Sequence, residues 1–334
     1  MSPGVAERFA ADLDALLSSD APLGIAVSGG PDSLALLLLG AAARPGAIEA
    51  ATVDHALRPG SRAEAEAVAL ICARLDVPHA ILTARWETPP AANVQARARE
   101  ERYALLSEWA FARGLVAVAT GHHADDQAET LLMRLARGAG VAGLGGARPR
   151  RTLRDGVTLV RPLLGWLKSE LLALVATAGI QPIDDPANHD PRHDRTRMRR
   201  WLASSEWADP LRLAASAAHL READEALDWA LVPLAAARLT EEDGTVLVDA
   251  TGLPGELQRR LLLAAFARLG APPPRGPDLT AALGRLRAGQ TTTLCGLKLA
   301  GLKVEGSEQW RLSTARPRRL PKRRTAPGAG DPSQ

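Results

Sequence analysis

Short apolar runs alternate with helix-like stretches over residues 24–120, and this alternation constrains the fold more than any other feature of the sequence. The apolar runs lie at 24–28, 48–53, 79–84 and 115–120. The helical patterns between them lie at 31–43, 62–76 and 91–113. A further helix at 125–137 and strand at 157–162 extend the series. This order is typical of βαβ units, so the sequence predicts an α/β domain with a doubly wound parallel sheet.

The rest of the chain changes pattern. A polar stretch at 181–200 predicts a linker or an ordered functional loop that closes a first domain, 1–200. Residues 205–270 are strongly helical in pattern, and 271–315 combine one helix with short alternating runs, which predicts a small α/β segment with C-terminal β-structure. Residues 316–334 are basic and poor in apolar side chains, which indicates a disordered tail.

Composition excludes several classes of protein. Hydrophobic residues make up 46% and charged residues 24% of the chain, as in ordinary globular domains. The two cysteines, Cys72 and Cys295, belong to no CxxC pair, so neither a disulfide framework nor a cysteine-based metal site is encoded. Because no apolar run approaches the roughly 18 residues of a membrane span and no signal peptide is evident, we expect a cytoplasmic protein with no membrane partner.

The sequence SGGPDS at 28–33 follows the first predicted strand and opens the first helix. Glycines let the backbone approach a ligand closely, and a helix N-terminus offers free N–H groups to an anion. The segment lacks the lysine of the P-loop and the spacing of GxGxxG, so it indicates neither an ordinary NTPase nor a dehydrogenase. By position alone, a capped turn with Ser28 at the N-cap and Pro31 at the first helical position explains it equally well.

A second polar cluster, HHADDQAE at 122–129, follows the fourth predicted strand. Asp126 and Glu129 have the spacing of a capping box, which is a purely structural interpretation. Asp125 and Glu129 share one helix face beside two histidines, and such carboxylates can hold Mg²⁺. Both interpretations stay open on these residues alone.

Three further groups of polar residues have both a structural and a functional interpretation. The first group follows the second strand, and its structural alternative is a solvated loop. The second group shares one helix face, and its alternative is a surface stripe of charged residues. The third group lies in the polar stretch at 181–200, and its alternative is a linker. Their members are Asp54, His55 and Arg58; Arg99, Arg102 and Tyr103; and Asp185, Asn188, Asp190, Arg195, Arg197 and Arg199.

The loop SGGPDS resembles the SGGxDS loop of the PP-loop ATP pyrophosphatases. Other blocks, in the same order along the chain, are similar to those of the tRNA(Ile)-lysidine synthetase family, and together they cover residues 20–200. These blocks lie at 53–61, 93–103, 120–144, 161–164 and 184–199. The chain departs from the family pattern at Thr196, where Asn usually follows Arg. Beyond residue 205 only a general similarity to the family's helical tRNA-binding region remains.

The resemblance implies a PP-loop sheet domain followed by a smaller helical domain. It implies ATP-dependent ligation of free L-lysine to C2 of the wobble cytidine in tRNA(Ile) with a CAU anticodon. In this reaction the cytidine is first adenylated, and pyrophosphate and AMP are released. ATP and Mg²⁺ are the implied cofactors, and a homodimer is one possible assembly.

The resemblance also implies roles for individual residues. ATP contacts are expected from Ser28, Gly29, Gly30, Pro31, Asp32, Ser33 and His123. Catalytic roles fall to Asp32, Asp126, Arg99 and Arg195, and metal ligation to Asp125, Asp126 and Glu129. Contacts to tRNA or lysine are expected from Asp54, His55, Arg58, Arg102, Asn188, Arg197 and Arg199, while Tyr103 is expected to pack.

Three alternative functions are kept. A PP-loop tRNA thiolation enzyme would use the same adenylation, but sulfur delivery often needs paired cysteines, which this chain lacks. A non-RNA adenylating ligase fed by a glutaminase would need a source of ammonia that the sequence does not contain. A regulator that only senses ATP would not need acids of catalytic type at two loops.

Overall fold

The computed structural model describes residues 2–58, 60–86, 93–183, 194–304 and 306–315. It divides into two compact units, Met1–Asp224 and Glu225–Gln334. The predictions for Asn188, for Asp185 and Asp190 and for the tail at 316–334 concern residues outside the described part. No helix in the described ranges has the length and apolar character needed to cross a bilayer.

The first unit is built on a six-stranded sheet with the order β3-β2-β1-β4-β6-β5. Its strands are β1 (Leu23–Ala26), β2 (Ile48–Asp54), β3 (His79–Thr83), β4 (Ala117–Ala119), β5 (Arg150–Thr152) and β6 (Thr158–Val160). All neighbouring strands pair in parallel except β5, which is antiparallel to β6. The predicted parallel sheet is therefore confirmed. The strand order reverses between β1 and β4, the place where such sheets bind ligands.

Helices connect the parallel strands of this sheet. In chain order they are α1 (Pro3–Asp14), α2 (Pro31–Ala43), α3 (Ser61–Arg74), α4 (Val94–Ala112), α5 (Ala124–Leu135), α6 (Val141–Leu144), α7 (Lys168–Thr177), α8 (Asp194–Ser204) and α9 (Pro210–Arg238). A single 3₁₀ turn, Arg154–Gly156, precedes β6. The division between the two units falls within α9.

Burial explains why these segments form these elements. Helix α2 is apolar on nearly all sides, and Leu34, Leu36 and Leu37 are fully buried, as expected of a helix enclosed by the core. Strands β1 and β4 are almost fully buried runs and do not alternate, because both faces of a parallel sheet are covered. At Gly24 a Cβ atom would lie 2.6 Å from the Trp109 ring, so α4 packs directly on β1.

Some local predictions differ from the structure. Helix α2 has its N-cap at Gly30, two residues after the predicted Ser28, while Pro31 does occupy the first turn. Helix α5 has its N-cap at His123, with Asp126 at the third helical position, so a capping box that starts at Asp126 is wrong. The glycine-rich stretch at 138–151 has no helical or strand period in its sequence, which predicts a flexible loop, but it contains α6 and part of β5. An exposed edge strand has no apolar alternation to reveal it.

The second unit contains the end of α9, two helices and a second sheet. The helices are α10 (Gly255–Arg268) and α11 (Gly276–Arg287). The strands are β7 (Leu239–Glu242), β8 (Thr245–Asp249), β9 (Thr291–Leu294), β10 (Leu297–Val304) and β11 (Ser307–Thr314), in the order β7-β8-β11-β10-β9. Trp310 and Phe266 lie at the centre of its core.

The hairpin β7–β8 lies inside the stretch that was expected to be wholly helical. Its turn is Asp243-Gly244, with both residues at positive φ, as a tight hairpin requires. The Asp-Gly pair followed by the alternating strand β8 was a usable sequence signal for it.

Candidate functional site

The loop at 28–33 connects β1 to α2 at the carboxyl edge of the sheet. Gly29 has φ +84°, and a Cβ there would lie 2.4 Å from Ile183 Cδ1, so only glycine fits without strain. The Ser33 hydroxyl donates to the Gly30 carbonyl at 2.9 Å and accepts from the Ser28 N–H at 3.0 Å. These two bonds join the two ends of the loop to each other.

This loop has the features of an anion cradle. The first N–H groups of α2 have no carbonyl partner inside the helix, and the positive end of its dipole lies there. The Asp32 Oδ1 atom is buried and has no hydrogen-bond partner among the described residues. The loop therefore offers N–H donors to phosphate oxygens and one carboxylate oxygen to a cation.

Gly121, in the turn after β4, brings a second loop against the first. A Cβ on Gly121 would lie 2.8 Å from the Asp32 carbonyl oxygen, so the two turns pack backbone against backbone. Sequence reasoning missed this residue, because nothing local shows which segment its backbone contacts.

His123 joins the two loops through its ring. The ring is fully buried, with Nε2 3.5 Å from Asp32 Oδ2 and Nδ1 3.4 Å from Asp125 Oδ2. Burial opposes a charge on the ring, but the carboxylates of Asp125, Asp32 and Asp126 outweigh it and raise the pKa of His123 to about 10. The side chain is therefore an imidazolium at neutral pH, with carboxylates on both sides.

Two arginines of α8 bind the acids of α5. Arg195 donates to Glu129 at 2.6 Å and to Asp126 at 2.7 Å, and Arg199 donates to Glu129 at 2.6 Å. Glu129 is only 2% exposed. Burial by itself would raise the pKa of Asp126, but His123 and Arg195 hold it below the usual range. The result is a network in which two buried carboxylates bind two guanidinium groups, those of the exposed Arg195 and the half-buried Arg199.

The three predicted metal ligands all face other partners. Asp126 and Glu129 belong to this arginine network, and Asp125 accepts the Lys168 N–H at 2.9 Å. In the ranges that the structure describes, no group of three or more His, Cys, Asp or Glu side chains is arranged to hold a metal ion.

A third group of residues, which we call the Tyr103 cluster, consists of Arg99, Arg102, Tyr103, Arg151 and Arg161. The guanidinium carbons of Arg99, Arg102 and Arg151 lie 5.0, 5.2 and 4.7 Å from the centre of the Tyr103 ring. Sequence reasoning found the first three residues on one helix face. It missed Arg151 and Arg161, because they come from the β5–β6 region, about fifty residues further along the chain.

His122 lies between this cluster and the acids of α5. Burial, together with Arg161, Arg99 and Arg102, outweighs Asp126 and lowers the pKa of His122 to about 3. Its Nδ1 atom lies 3.1 Å from the Thr120 hydroxyl. The two adjacent histidines therefore differ in charge: His122 is neutral and His123 is protonated.

The residues after β2 have mainly local partners. The Asp54 carboxylate accepts from the Ser61 hydroxyl at 2.7 Å and from the Ala56 N–H at 2.9 Å. Arg58 makes two bonds of 2.7 Å to Glu64. His55 Nδ1 is buried without a partner among the described residues. An open pocket of about 490 Å³ is lined here by Asp54, Ala56, Leu57, Arg58, Gly60, Ser61 and Arg62.

The structure thus brings part of the predicted site together. Asp32, His123, Asp125, Asp126, Glu129, Arg195 and Arg199 form one connected group. Arg197 lies apart from this group, exposed and paired with Asp194 on α8.

Comparisons with known proteins identify the family of the chain. The PP-loop domain family matches residues 5–206. A tRNA(Ile)-lysidine synthase of Novosphingobium aromaticivorans is 47% identical over 314 residues, covering 93% of this chain and 94% of the relative. One of Zymomonas mobilis is 43% identical, with 89% of each chain covered.

Among solved structures, the U34-tRNA thiolase NcsA from Methanococcus maripaludis with its 4Fe-4S cluster is similar in fold. The two share 16% sequence identity with a TM-score of 0.55, covering 66% of this chain and 79% of that one. This likeness shows the fold alone. The two curated relatives go further, because their identity extends over nearly the whole chain. The chain therefore belongs to the tRNA(Ile)-lysidine synthase family and has that family's PP-loop domain.

Proposed function

We propose that this protein ligates free L-lysine to C2 of the wobble cytidine of tRNA(Ile) with a CAU anticodon. Membership of the family supports an ATP-dependent ligase that forms lysidine on tRNA. The observation that carries the proposal is the buried His123 imidazolium, which lies between Asp32 of the loop at 28–33 and the carboxylates of Asp125 and Asp126 on α5. An ATP site and an acidic site are thereby held next to each other.

The first step is adenylation of the cytidine. Its O2 atom attacks the α-phosphorus of ATP, and the bond to the bridging oxygen breaks as pyrophosphate leaves with the electron pair. The cradle at Gly29 and Gly30 and the N-terminus of α2 suit the β- and γ-phosphates. The positive charge of His123 near Asp32 stabilises the charge that develops on pyrophosphate.

The second step is attack by lysine. Its ε-nitrogen bonds to C2, and the C2–O bond breaks so that AMP leaves. A protonated amine has no free electron pair, so its proton must first pass to a base, and we assign this role to one of the two carboxylates Asp126 and Asp32. Arg195 and Arg199, which already bind carboxylates, are suited to the lysine α-carboxylate.

Mg²⁺ fits this site through Asp32. Its Oδ1 atom is a hard oxygen donor, buried and unpartnered among the described residues, beside the loop for phosphates. Mg²⁺ in nucleotide sites commonly takes one or two carboxylates together with phosphate oxygens. When bound, the ion would neutralise charge on the pyrophosphate. Asp125, Asp126 and Glu129 are less suited, because each already has a positive or N–H partner.

The thiolation alternative has less support from the cysteines. Cys72 is fully buried in α3, and burial raises the pKa of its thiol to about 11, which suppresses the reactive thiolate. Cys295 is exposed in the second unit, in the turn between β9 and β10. No second cysteine accompanies either one in the sequence.

Labelled lysine tests the proposal. Purified protein, ATP and a tRNA(Ile) transcript with a CAU anticodon should give label in the RNA, with one AMP and one pyrophosphate per lysine. A transcript with uridine at the wobble position is the matched control and should stay unlabelled. Label that enters without ATP, or no label with ATP present, would contradict the proposal. A cytoplasmic location and a homodimer remain part of the proposal, and sedimentation at several protein concentrations tests the dimer.

A further inference from the structure

Four arginines surround Tyr103 without any acid to balance them. Among the described residues, Arg99, Arg102, Arg151 and Arg161 make no ion pair with a carboxylate, whereas Arg137, Arg195 and Arg199 do. Three of their guanidinium groups lie within 5.2 Å of one ring centre. Like charges gather at such a distance only where an anion or an aromatic face compensates them.

The interior of the cluster also has unsatisfied donors. Arg102 Nε, Arg161 Nε and the Tyr103 hydroxyl are buried and have no hydrogen-bond partner in the described ranges. Buried polar atoms are nearly always paired in folded proteins. A phosphate oxyanion accepts hydrogen bonds from donors of this kind, here two N–H groups and one O–H group. The guanidinium group of Arg presents its N–H donors in a planar fork that suits phosphate.

The cluster is separate from the loop at 28–33. Arg161 directly follows β6 and Arg151 lies on β5, whereas the loop follows β1, and β4 lies between β1 and β6. His122 interacts with Arg161, Arg99 and Arg102, while the next residue, His123, interacts with Asp32. The two histidines thus mark two neighbouring sites at the end of β4.

We propose that the Tyr103 cluster is a second phosphate site, and that it binds a backbone phosphate of the RNA beside the nucleotide to be modified. This rests on the proposed function, which requires a polynucleotide at the sheet edge. Arg99 and Arg151 are exposed and form the rim, so a strand can approach from solvent. Arg102, Arg161 and the Tyr103 hydroxyl form the floor. The same oxyanion chemistry is present in ATP, so the test must separate the two sources.

Two substitutions with a matched control test the site. Arg151→Gln removes one rim charge, and Tyr103→Phe removes only the hydroxyl. Arg150→Gln is the control, because Arg150 is the exposed neighbour on β5 and makes no contact with the Tyr103 ring. Arg151→Gln and Arg150→Gln remove no side-chain hydrogen bond within the described residues, so unchanged melting curves are expected for both. Tyr103→Phe removes a hydroxyl that interacts with Arg102 and Arg161, so its melting curve is measured beside its binding.

Binding is measured separately for each ligand, with the tRNA(Ile) transcript alone over a range of salt and with ATP alone. Arg151→Gln should weaken RNA binding about tenfold and reduce the slope of log affinity against log salt by about 0.7 to 0.9, the share of one phosphate contact. Tyr103→Phe should weaken RNA binding about fivefold and leave the slope unchanged, because it alters no charge. ATP binding should stay at the wild-type value.

If Arg151→Gln lost ATP affinity but bound RNA normally, the cluster would still be a phosphate site, but its assignment to RNA would be overturned. If Arg151→Gln and Arg150→Gln behaved alike with both ligands, the site itself would be refuted. These outcomes do not depend on ligation. Wild-type protein that binds RNA but incorporates no lysine would count against the proposed function and leave this inference in place.

Discussion

Replacing Gly29 by alanine, with Gly30→Ala as its partner, separates the folding role of the loop at 28–33 from its binding role. The two glycines are adjacent, but their surroundings differ. At Gly29, φ is +84° and a Cβ would lie 2.4 Å from Ile183 Cδ1 and 3.1 Å from Val68 Cγ2. At Gly30, φ is −71° and the nearest atom to a Cβ is Ser28 Oγ at 3.7 Å, an ordinary contact.

The cost at Gly29 can be estimated from these contacts. An alanine forced to positive φ costs roughly 1–2 kcal/mol. Moving the flexible end of Ile183 away from a favoured rotamer adds about 0.5–1.5 kcal/mol. The sum is about 1.5–3.5 kcal/mol, which for a unit of this size corresponds to a fall in melting temperature of about 3–14 °C. Gly30→Ala should shift the melting temperature by less than about 2 °C.

Binding should respond differently from stability. At Gly30 the methyl group would stand on the open side of the loop, where phosphate oxygens must approach the backbone, whereas at Gly29 it would meet Ile183 and Val68 and shift the loop itself. Both variants should therefore lose ATP affinity about tenfold or more, or about 1.4 kcal/mol. Thermal unfolding and calorimetric titration with ATP measure the two effects. Wild-type ATP affinity in Gly30→Ala would refute the phosphate cradle. An unchanged melting temperature in Gly29→Ala would refute the steric reasoning.

Four other predictions concern residues of the site and the two cysteines. Asp32→Asn should abolish pyrophosphate release with the fold intact, because its Oδ1 atom has no partner among the described residues; near-normal turnover would exclude its assigned role. His123, with a pKa raised from 6.5 to about 10, binds a proton more tightly in the folded state, so stability should fall as pH rises from about 6.5 to 10. His122, with a pKa lowered to about 3, should instead make stability fall as pH drops from about 6.5 toward 3. Each effect amounts to at most about 1.4 kcal/mol per pH unit. Urea unfolding of His123→Asn and His122→Asn should lose the alkaline and the acid dependence, respectively, and a wild-type profile in either variant would show the assignment to be wrong. Cys72→Ala combined with Cys295→Ser should leave lysine incorporation largely intact apart from a packing cost at Cys72, and loss of modification in the well-folded double variant would return a thiol to the mechanism.

Local sequence patterns were sufficient for the sheet, its helices and the position of the first loop. Buried parallel strands appear as continuous apolar runs, and α2 begins at Pro31 because proline has no N–H to lose at a helix start. Such signals lie within a few residues of one another. They also placed Asp32 and His123 at the ends of strands that neighbour each other in a sheet of this type.

The partners of the charged groups depended on tertiary structure. Glu129 has capping spacing in the sequence, yet its contacts are Arg195 and Arg199 on a helix more than sixty residues away. In the same way, Tyr103 is surrounded by arginines from α4 and from β5, and β5 has no pattern that predicts it. The sequence alone determined which elements form, because hydrophobic periodicity and capping act locally. Only the tertiary structure decided which charges neutralise each other and which are left free for a ligand, because strand order and helix packing set those distances.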